Sequence, residues 1–378
     1  MRLLRGLALC AAGAGIAYLA FATARLRAFG RRRLELAPRG SAIGVTVLKP
    51  LHGDEPRLFD NLCSFCDQDH DRLQVIFGVA REDDVAIEVA RRVIASYPHA
   101  DVSLIVDPRI RCANHKISNV INMIEHARHD VIVVADSDTR VGRSYARAVL
   151  ASFSDPAVGA VTCLYRGVPL HGDTAALGAL FINDQFAPSA LVAAALSPVD
   201  FCFGATMAVT RSTLERIGGF ESLGSFLADD RMLGRLVYES GLTVALSPYV
   251  VEHDVTERDV RELWEHEVRW ARTMRSARPY GYAFSFIIHA VPVSLLAWAF
   301  SRNALGGILT CAAIAARTAM HLAARQALRV KTADEPWLVP IRDVLGLCLW
   351  ATAFSGSGVR WRDQELDIDE CGRIVRSV

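Results

Sequence analysis

The chain has 378 residues, of which 42 are lysine or arginine and 41 are aspartate or glutamate, so its formal net charge is +1 at pH 7. This balance disfavours a generic nucleic-acid binder, which normally carries a marked basic excess, and we expect no nucleic acid partner. Hydrophobic residues make up 52% of the chain and are concentrated toward its two ends, which indicates a membrane protein rather than a soluble domain.

The first predicted element is a membrane-spanning helix. Residues 3–24 carry a single charge, Arg5, and at about 1.5 Å per residue they can cross a hydrocarbon layer of about 30 Å. Five arginines follow at once between residues 25 and 33, where a secretory signal peptide would show a cleavage site and a polar mature start. The positive-inside rule then places the following chain in the cytoplasm. We predict a transmembrane helix over 1–24 and a basic linker over 25–42.

Short apolar strands alternate with helical stretches between residues 43 and 258. The seven predicted strands are IGVTVLKP (43–50), LQVIFGV (73–79), VSLIVD (102–107), VIVVADSD (131–138), VGAVTCLY (158–165), TMAVT (206–210) and LTVALSP (242–248). This alternation predicts an α/β fold with a mostly parallel sheet covered by helices. In such sheets, ligands bind beyond the carboxyl ends of the strands, so the polar residues that follow an apolar run are the candidates for a site.

One of these strands ends in two carboxylates separated by a single residue, Asp136 and Asp138. Two carboxylates spaced in this way on a strand-to-loop turn can converge on one Mg²⁺ or Mn²⁺ ion and leave open positions for phosphate oxygens. An ordinary polar turn would have the same composition. The pattern therefore makes residues 136–138 a candidate nucleotide-diphosphate site.

A second acidic pair, Asp229 and Asp230, precedes residues with helical spacing in FLADDRMLGRLVYESG (226–241). An aspartate at a helix N-terminus commonly serves only as a cap and meets the favourable end of the helix dipole. One of two adjacent carboxylates can cap while the other faces a ligand. A carboxylate at this position could act as a general base on an acceptor hydroxyl.

An arginine- and tryptophan-rich helix is predicted over 259–281, directly before the next apolar segment. A juxtamembrane amphipathic helix, with arginines at lipid headgroups and tryptophans at the interface, explains most of its composition. Arg269 and Trp270, one turn from His266, could instead face inward. They would then offer planar donors and a stacking surface to a pyrophosphate group.

Two or three membrane-associated helices are predicted over 282–358. Residues 282–300 are uncharged, whereas 304–324 contains Arg317 and 338–355 contains Arg342 and Asp343. The charged segments are compatible with re-entrant, interfacial or protein-facing helices. A polar cytosolic tail is predicted over 359–378.

The nine cysteines are scattered, and several lie in apolar runs, which fits buried thiols in a reducing compartment. Cys63 and Cys66 have CxxC spacing, but no second pair follows at the distance of a zinc ribbon. Leu62 and Phe65 indicate that this pair lies on a packed helix rather than at a metal or redox site.

The motifs in their order resemble those of a known family. LKP (48–50), EDD (82–84), NHK (114–116), DSD (136–138), ADD (228–230) and HEVRW (266–270) are similar to the motifs of the ceramide glucosyltransferase-like family, whose members are inverting, membrane-bound glycosyltransferases with a GT-A domain. Within that family the chain resembles most the bacterial branch that includes the hopanoid-biosynthesis glycosyltransferases. The similarity covers roughly residues 43–280 and the flanking membrane segments.

The resemblance implies a GT-A domain over 43–258 that transfers one sugar from a UDP-sugar to a lipid hydroxyl with inversion. The donor would be UDP-N-acetylglucosamine or UDP-glucose, and the acceptor a lipid such as a hopanoid or ceramide. The chain would cross the inner membrane several times, with its catalytic domain facing the cytoplasm and its active site at the bilayer surface. Residues 171–198 would line the acceptor path or, equally, form an amphipathic core helix.

The resemblance also implies roles for individual residues. Asp136 and Asp138 would bind the divalent cation, Mg²⁺ or Mn²⁺, and Asp230 would be the general base. Asp229 and His266 are further candidates. The implied donor contacts are Lys49, Pro50, Asp83, Asp84, Lys116, Ser137, Arg269 and Trp270.

The chain departs from the family pattern at two motifs. The first acidic position of the family falls at Arg81 in an ungapped alignment, so Glu82, Asp83 or Asp84 would contact the nucleoside. The closing motif begins with His266 instead of the glutamine or arginine of related enzymes. The metal pair is a complete DSD, which favours metal dependence.

Two other functions fit part of the sequence. Processive polysaccharide synthases share the DxD pair, the acidic base and the RW helix, but they generally show QxxRW and more membrane helices. An inactive, membrane-tethered protein that only binds sugar nucleotides would have no need of Asp230.

Overall fold

A computed structural model describes residues 2–333, 335–356, 358–361, 364–369 and 372–377. The chain divides into two compact units. The sheet unit comprises Arg33–Tyr165 and Pro198–Asp254, and the helical unit comprises Met1–Arg32, Arg166–Ser197 and Val255–Val378. Residues 166–197, which lie within the predicted GT-A range of 43–258, thus belong to the helical unit.

Eleven strands occur in the described residues, and eight of them form one sheet in the order β3-β2-β1-β4-β7-β6-β8-β5. The strands are β1 (Val45–Leu51), β2 (Leu73–Val79), β3 (Asp101–Val106), β4 (Val131–Val134), β5 (Thr139–Arg140), β6 (Val158–Pro169), β7 (Met207–Thr210), β8 (Thr243–Val255), β9 (Gly358–Trp361), β10 (Gln364–Ile368) and β11 (Ile374–Ser377).

The helices of the described residues follow in chain order. They are α1 (Arg2–Gly30), α2 (Leu58–Cys66), α3 (Ala86–Ser96), α4 (His115–Ile124), α5 (Tyr145–Ala151), α6 (Gly172–Phe181), α7 (Ala187–Leu196), α8 (Arg211–Arg216), α9 (Asp229–Glu239), α10 (Val260–Ala277), α11 (Pro279–Phe284), α12 (Ala290–Ser301), α13 (Ala304–Ala327) and α14 (Leu338–Thr352). A π-helical turn (Ile182–Phe186) joins α6 to α7, and 3₁₀ turns occur at Phe220–Leu223 and Ser285–Ile288.

The predicted α/β fold is confirmed, and the sheet is mixed. Strands β1 to β4 pair in parallel, whereas β7 is antiparallel to β4 and β6, and β5 is antiparallel to β8. Alternate residues of the parallel strands serve two hydrophobic cores. Val47 and Phe77 pack with α2 and α3 on one face, and Leu48 and Ile76 pack with α4 and α9 on the other. Because both faces are covered, these strands read as continuous apolar runs in the sequence.

The position of α9 depends on Gly234, which contacts a neighbouring loop backbone. A Cβ atom at this position would lie 2.3 Å from the carbonyl carbon and 2.4 Å from the Cα of Phe201. The loop is joined to the start of the same helix, because the Cys202 amide donates to the Asp230 carbonyl at 3.2 Å. The absent side chain therefore lets the first two turns of α9 lie against residues 201–204.

We expect Gly234→Ala to lower the free energy of unfolding by about 1–3 kcal/mol, since the methyl group must displace backbone atoms. Gly40→Ala is the matched control, because a Cβ at Gly40 meets nothing within 4 Å. Thermal unfolding of both purified variants measures the difference. Equal midpoints for the two variants would contradict this account of α9.

Within the described residues of the helical unit, three helices are long and apolar enough to cross a membrane. They are Leu3–Gly30, Gly172–Leu196 and Ala304–Ala327. The first and third match predicted spans, whereas the second comes from the segment in which an acceptor path or a core helix was predicted. The uncharged segment 282–300 is not one straight helix, because α11 with its 3₁₀ turn and α12 are bent by 73°.

The last predicted membrane segment is short and carries buried charges. Helix α14 has 15 residues, and both of its charged side chains, Arg342 and Asp343, are buried. This agrees with a helix turned toward protein rather than lipid. Strands β9, β10 and β11 form an antiparallel sheet that begins at Gly358, one residue before the predicted polar tail of 359–378. Part of this tail lies outside the described residues.

Candidate active site

The DSD turn (residues 136–138) follows β4, and the side chain of Lys49 lies beneath it. Lys49 is fully buried, and its ammonium group donates to the backbone oxygen of Asp136 and, at 3.1 Å, to Oγ1 of Thr139. It also lies 4.0 Å from the centroid of the Phe65 ring. Burial lowers the pKa of Lys49 to about 8, although nearby carboxylates oppose this effect. These contacts engage the ammonium group in holding the turn, and the predicted donor contact of Lys49 stays a prediction.

The two carboxylates of this turn are each about one-third exposed. Asp136 Oδ1 lies 2.8 Å from Lys116 Nζ, and Asp138 Oδ1 lies 3.3 Å from His253 Nδ1. Between them, Ser137 is buried and its hydroxyl donates to Glu55 Oε1 at 2.6 Å. The serine hydroxyl thus supports the turn, and the aspartates remain partly open to solvent.

Lys116 joins the two acidic motifs. It lies in the first turn of α4, which Asn114 caps by accepting from the Ile117 amide at 3.1 Å. Its ammonium lies 2.8 Å from Asp136 Oδ1 and 3.0 Å from Asp229 Oδ2. Burial lowers the pKa of Lys116, but the charges of the two carboxylates outweigh burial and hold this pKa above its ordinary value. The lysine is therefore a cation between the motifs.

Asp230 is held beside the DSD turn by the backbone of Gly204. The Gly204 amide donates to Asp230 Oδ2 at 3.0 Å, and the Gly204 carbonyl accepts from the Asp136 amide at 3.0 Å. Burial and the neighbouring charge of Asp229 raise the pKa of Asp230 to about 6, against the opposing effect of Lys116. A carboxyl group with this pKa is ionised near neutral pH and can accept a proton.

The charges of all three candidate carboxylates affect the pKa of one partly buried side chain, Tyr165. Burial raises the pKa of Tyr165 well above its ordinary value, and the charges of Asp230, Asp136 and Asp138 raise it further. The structure therefore brings together residues that lie more than ninety positions apart in the sequence.

The nucleoside candidates differ in their surroundings. Asp84 is nearly buried and accepts from the Gly53 amide at 3.0 Å and the Ala86 amide at 2.9 Å, which ties together the loops that follow β1 and β2. Asp83 is 71% exposed and pairs with Arg81 at 2.7 Å. The structure thus places Asp84 at the carboxyl end of the parallel strands and directs Asp83 away to a surface ion pair.

The remaining donor candidate of the sheet unit, Pro50, is a buried residue of β1. It lies opposite Gly78 of β2 in the parallel register. Proline has no amide hydrogen, so any polar contact from this position must come from its carbonyl oxygen.

The RW candidates lie on α10 in the helical unit. His266 Nδ1 is paired with Glu257, and the His266 ring lies 4.3 Å from the centroid of the Trp270 ring. Trp270 also lies 5.4 Å from the Phe181 ring, and the Arg269 carbonyl accepts from Thr273. Histidine at the first position of the motif is therefore held between a carboxylate and an aromatic ring. The predicted donor contacts of Arg269 and Trp270 stay predictions.

The DSD turn supplies carboxylate oxygens, the ligand atoms that a hard divalent cation prefers. A Cβ atom at residue 204 would fall 2.1 Å from Asp136 Oδ2, so glycine leaves the room that this oxygen occupies. Among the described residues, no group of three or more His, Cys, Asp or Glu side chains forms a closed metal site. Mg²⁺ is commonly held by one or two carboxylates, with water and substrate phosphates completing its coordination. The two partly exposed carboxylates fit that kind of site.

Three supporting residues are absent from the sequence-based prediction. Gly204, His253 and Glu55 each contact the candidate site, but they lie in other loops or strands. In the sequence, Gly204 lies between Phe203 and Ala205. A glycine at such a place can indicate that another part of the chain approaches its backbone closely. Nothing in the spacing of His253 or Glu55 relates either residue to the DSD turn.

We expect Gly204→Ala to lower the catalytic rate by about 10–10²-fold, because displacing a catalytic group by about 1 Å can cost that much. The added methyl group would push the Asp136 carboxylate from its present position. Calorimetric titration with UDP and Mn²⁺ should show weaker binding, while Gly142→Ala, whose Cβ meets only Tyr249 Oη at 3.3 Å, serves as the control. Unchanged binding and rate would show that the carboxylate tolerates the shift.

Several known proteins are similar to this chain. The family model described as Glycosyl transferase family 21 matches residues 7–374. Ceramide glucosyltransferase 1 of Caenorhabditis elegans is 24% identical over 293 residues, which cover 77% of this chain and 62% of the relative. Ceramide glucosyltransferase of Komagataella phaffii is 29% identical over 130 residues, which cover 33% of this chain and 25% of the relative. The matched region thus spans at most about three-fifths of these relatives.

A solved structure shares the fold. The mannosyltransferase PcManGT from Pyrobaculum calidifontis, in complex with GDP-Man and Mn²⁺, superposes with a TM-score of 0.54 and 20% sequence identity. The match covers 93% of this chain and 99% of the mannosyltransferase. At this identity the comparison establishes the fold.

Proposed function

The chain belongs to glycosyl transferase family 21, and from that premise we propose that it transfers one sugar from a UDP-sugar to the hydroxyl group of a membrane lipid, with inversion at the anomeric carbon. The proposed donor is UDP-N-acetylglucosamine or UDP-glucose. The proposed acceptor is a hydroxylated lipid such as a hopanoid or ceramide. The ceramide glucosyltransferases among its relatives support a lipid acceptor.

One observation carries the proposal. Lys116 bridges Asp136 and Asp229, and the Gly204 backbone joins Asp136 to Asp230. The arrangement sets a cation and two partly exposed carboxylates beside a carboxyl group with a raised pKa. Leaving-group stabilisation and proton removal from an acceptor need these two kinds of group side by side.

In the proposed mechanism the acceptor hydroxyl attacks the anomeric carbon from the face opposite the nucleotide. Asp230 accepts the hydroxyl proton as the new carbon–oxygen bond forms. The bond between the anomeric carbon and the diphosphate oxygen breaks, and the electron pair leaves with the diphosphate. Lys116 stabilises the negative charge that grows on this leaving group. A single displacement inverts the configuration at the anomeric carbon.

Asp136 and Asp138 are the residues that would hold a divalent cation, Mg²⁺ or Mn²⁺. When bound, such an ion neutralises charge on the diphosphate oxygens. His253, which contacts Asp138, orients that carboxylate. The Mn²⁺ in the solved mannosyltransferase of similar fold is in keeping with this choice of ion.

We propose that the protein is a multi-pass inner-membrane protein whose sheet unit faces the cytoplasm. Three apolar helices long enough to span a bilayer support membrane insertion. The arginines between residues 25 and 33 support the orientation through the positive-inside rule. A soluble donor and a bilayer acceptor can then meet at the membrane surface.

The direct test is expression of the full chain with candidate acceptors, followed by lipid extraction and mass spectrometry. We expect a new glycolipid carrying one N-acetylhexosamine or one hexose increment, and the increment identifies the donor. Lipids carrying several sugars would instead favour a processive synthase. The absence of any sugar adduct with hopanoid, ceramide and diacylglycerol acceptors would contradict the proposal.

A further inference from the structure

The helical unit contains a buried cluster of charged side chains, here termed the polar cluster. Asp184, in the π-helical turn between α6 and α7, accepts from Arg317 at 2.9 Å and from His321 at 2.6 Å. Arg317 also donates to Asp343 of α14 at 2.9 Å. These side chains are almost completely buried. Ionisable residues in candidate membrane segments are rare, and they mark functional sites more often than chance.

A second buried pair adjoins the first. Arg342 of α14 donates to Glu267 of α10 at 2.7 Å, and its guanidinium carbon lies 5.4 Å from the Phe181 ring centroid. His289, at the bend before α12, packs against α14, because a Cβ atom at Gly346 of α14 would lie 2.5 Å from His289 Cε1. The polar cluster therefore joins α6, α10, α12, α13 and α14 within the helical unit.

The ion pairs leave several polar atoms of the polar cluster without a partner. Among the described residues, six such atoms are buried: Nη2 of Arg317, Nε and Nη2 of Arg342, Oδ1 of Asp184, Oε2 of Glu267 and Nδ1 of His289. Buried polar groups in folded proteins almost always have a hydrogen-bond partner, which can be protein, ordered water or a ligand. Six unpaired atoms in one cluster thus point to a polar molecule bound there.

The kinds of unpaired atoms define the chemistry of that molecule. Three are guanidinium nitrogens, which only donate, and two are carboxylate oxygens, which only accept. The carboxylates would repel an anion, and the arginines would repel a cation. A neutral hydroxyl group can instead donate to the carboxylate oxygens and accept from the guanidinium nitrogens. The polar cluster is thus suited to an uncharged molecule with several hydroxyl groups.

The surroundings of the polar cluster favour a lipid as the source of these hydroxyl groups. Helix α13 carries Arg317 on its buried side and exposes large apolar side chains, including Leu305, Ile308 and Leu322. Helix α12 similarly exposes Leu296 and Phe300. A molecule that reaches the polar cluster between these helices would come from the hydrocarbon layer rather than from water.

We propose that the polar cluster binds hydroxyl groups of an uncharged membrane lipid and so selects the acceptor. The inference rests on the lipid-acceptor function proposed above and extends it to acceptor recognition. His289 and Arg342 supply hydrogen bonds to these hydroxyl groups.

Equilibrium binding tests this inference without catalysis. The probes are a fluorescent short-chain ceramide and the same lipid with both hydroxyl groups methylated, each titrated into the purified full chain in detergent. We expect the wild type to bind the hydroxylated probe at least about 10-fold more tightly than its ether. His289→Leu and Arg342→Lys should each reduce this preference by about 3–10-fold, the range for one lost hydrogen bond.

The control is Thr310→Val, which removes a buried hydroxyl of α13 that has protein partners, the carbonyls of Ser294 and Gly306. It should leave the preference unchanged. If Arg342→Lys does not fold, the binding preference of His289→Leu decides the question. Among the described residues, the Nδ1 atom of His289 has no hydrogen-bond partner, so its removal breaks no hydrogen bond of that atom within the protein.

Two results would overturn the inference: equal binding of both probes by the wild type, or an unchanged preference in His289→Leu. Either would show that the polar cluster does not recognise the hydroxyl groups of the lipid. Failure of the proposed function is a different observation, namely that the wild type forms no glycolipid. The binding ratio is measured without donor, so the two failures are distinguished.

Discussion

Replacing Asp230 with asparagine is expected to lower kcat by about 10²–10⁴-fold, the usual contribution of a positioned general base. Asparagine is close in size to aspartate, but it cannot take the proton of the attacking hydroxyl. The measurement is single-turnover sugar transfer to lipid with saturating donor. Binding of UDP should be little changed, because Lys116 keeps its partners Asp136 and Asp229.

The pH dependence of the same reaction gives an independent check. Burial and the charge of Asp229 raise the pKa of Asp230 to about 6, while Lys116 opposes them. The base is active when ionised, so the rate should rise with pH up to about 6 and then level off. Below pH 6 it should fall about 10-fold per pH unit. This fall in rate below pH 6 should be absent in Asp230→Asn.

Asp83→Asn is the matched control for loss of a carboxylate, because Asp83 forms a surface ion pair with Arg81. It should keep nearly full activity. If Asp230→Asn transferred sugar as fast as the wild type, or if its rate fell in the same way below pH 6, another group would be removing the proton. An inactive protein that only binds sugar nucleotides would show no transfer in any of these forms.

The second large effect is expected from removing the acidic pair of the DSD turn. The double variant Asp136→Asn/Asp138→Asn should lose at least about 10³-fold in rate, because electrostatic stabilisation at the leaving group is usually the largest single contribution. The loss should equal or exceed that of Asp230→Asn. The measurement is the rate as a function of added Mn²⁺, after removal of metal with a chelator.

The two variants should differ in the step that they impair. Asp136→Asn/Asp138→Asn should lose calorimetric binding of Mn²⁺ with UDP, whereas Asp230→Asn should keep it. Lys116 would retain Asp229 as a partner, so folding should persist, and the thermal midpoint checks this. If the double variant kept full activity in the presence of the chelator, the proposed role of the pair would be wrong.

The sequence alone was sufficient to predict the features that depend on local patterns. The long strands are apolar runs, since a buried strand needs apolar side chains along its length, and seven of the eight strands of the sheet coincide with predicted ones. The DSD and ADD motifs were recognisable because each is contiguous. The two spans at α1 and α13 follow from composition and length.

Tertiary structure decided how these pieces cooperate. Lys49 reads as a charged residue available for a ligand, yet the sheet buries it beneath the turn. Gly204 has no side chain that would mark it in the sequence as a site residue, but its backbone forms hydrogen bonds with both Asp136 and Asp230.

The same holds for the membrane helices. In the sequence alone, the charges of Arg317 and Arg342 argue against membrane-spanning helices at 304–324 and 338–355. Their carboxylate partners, Asp184 and Glu267, lie 133 and 75 residues away in the sequence. A buried charge is tolerated only beside such a partner, and pairing between distant residues leaves no periodic trace in the sequence. Local pattern therefore determined the elements and motifs, and the fold determined which charges meet.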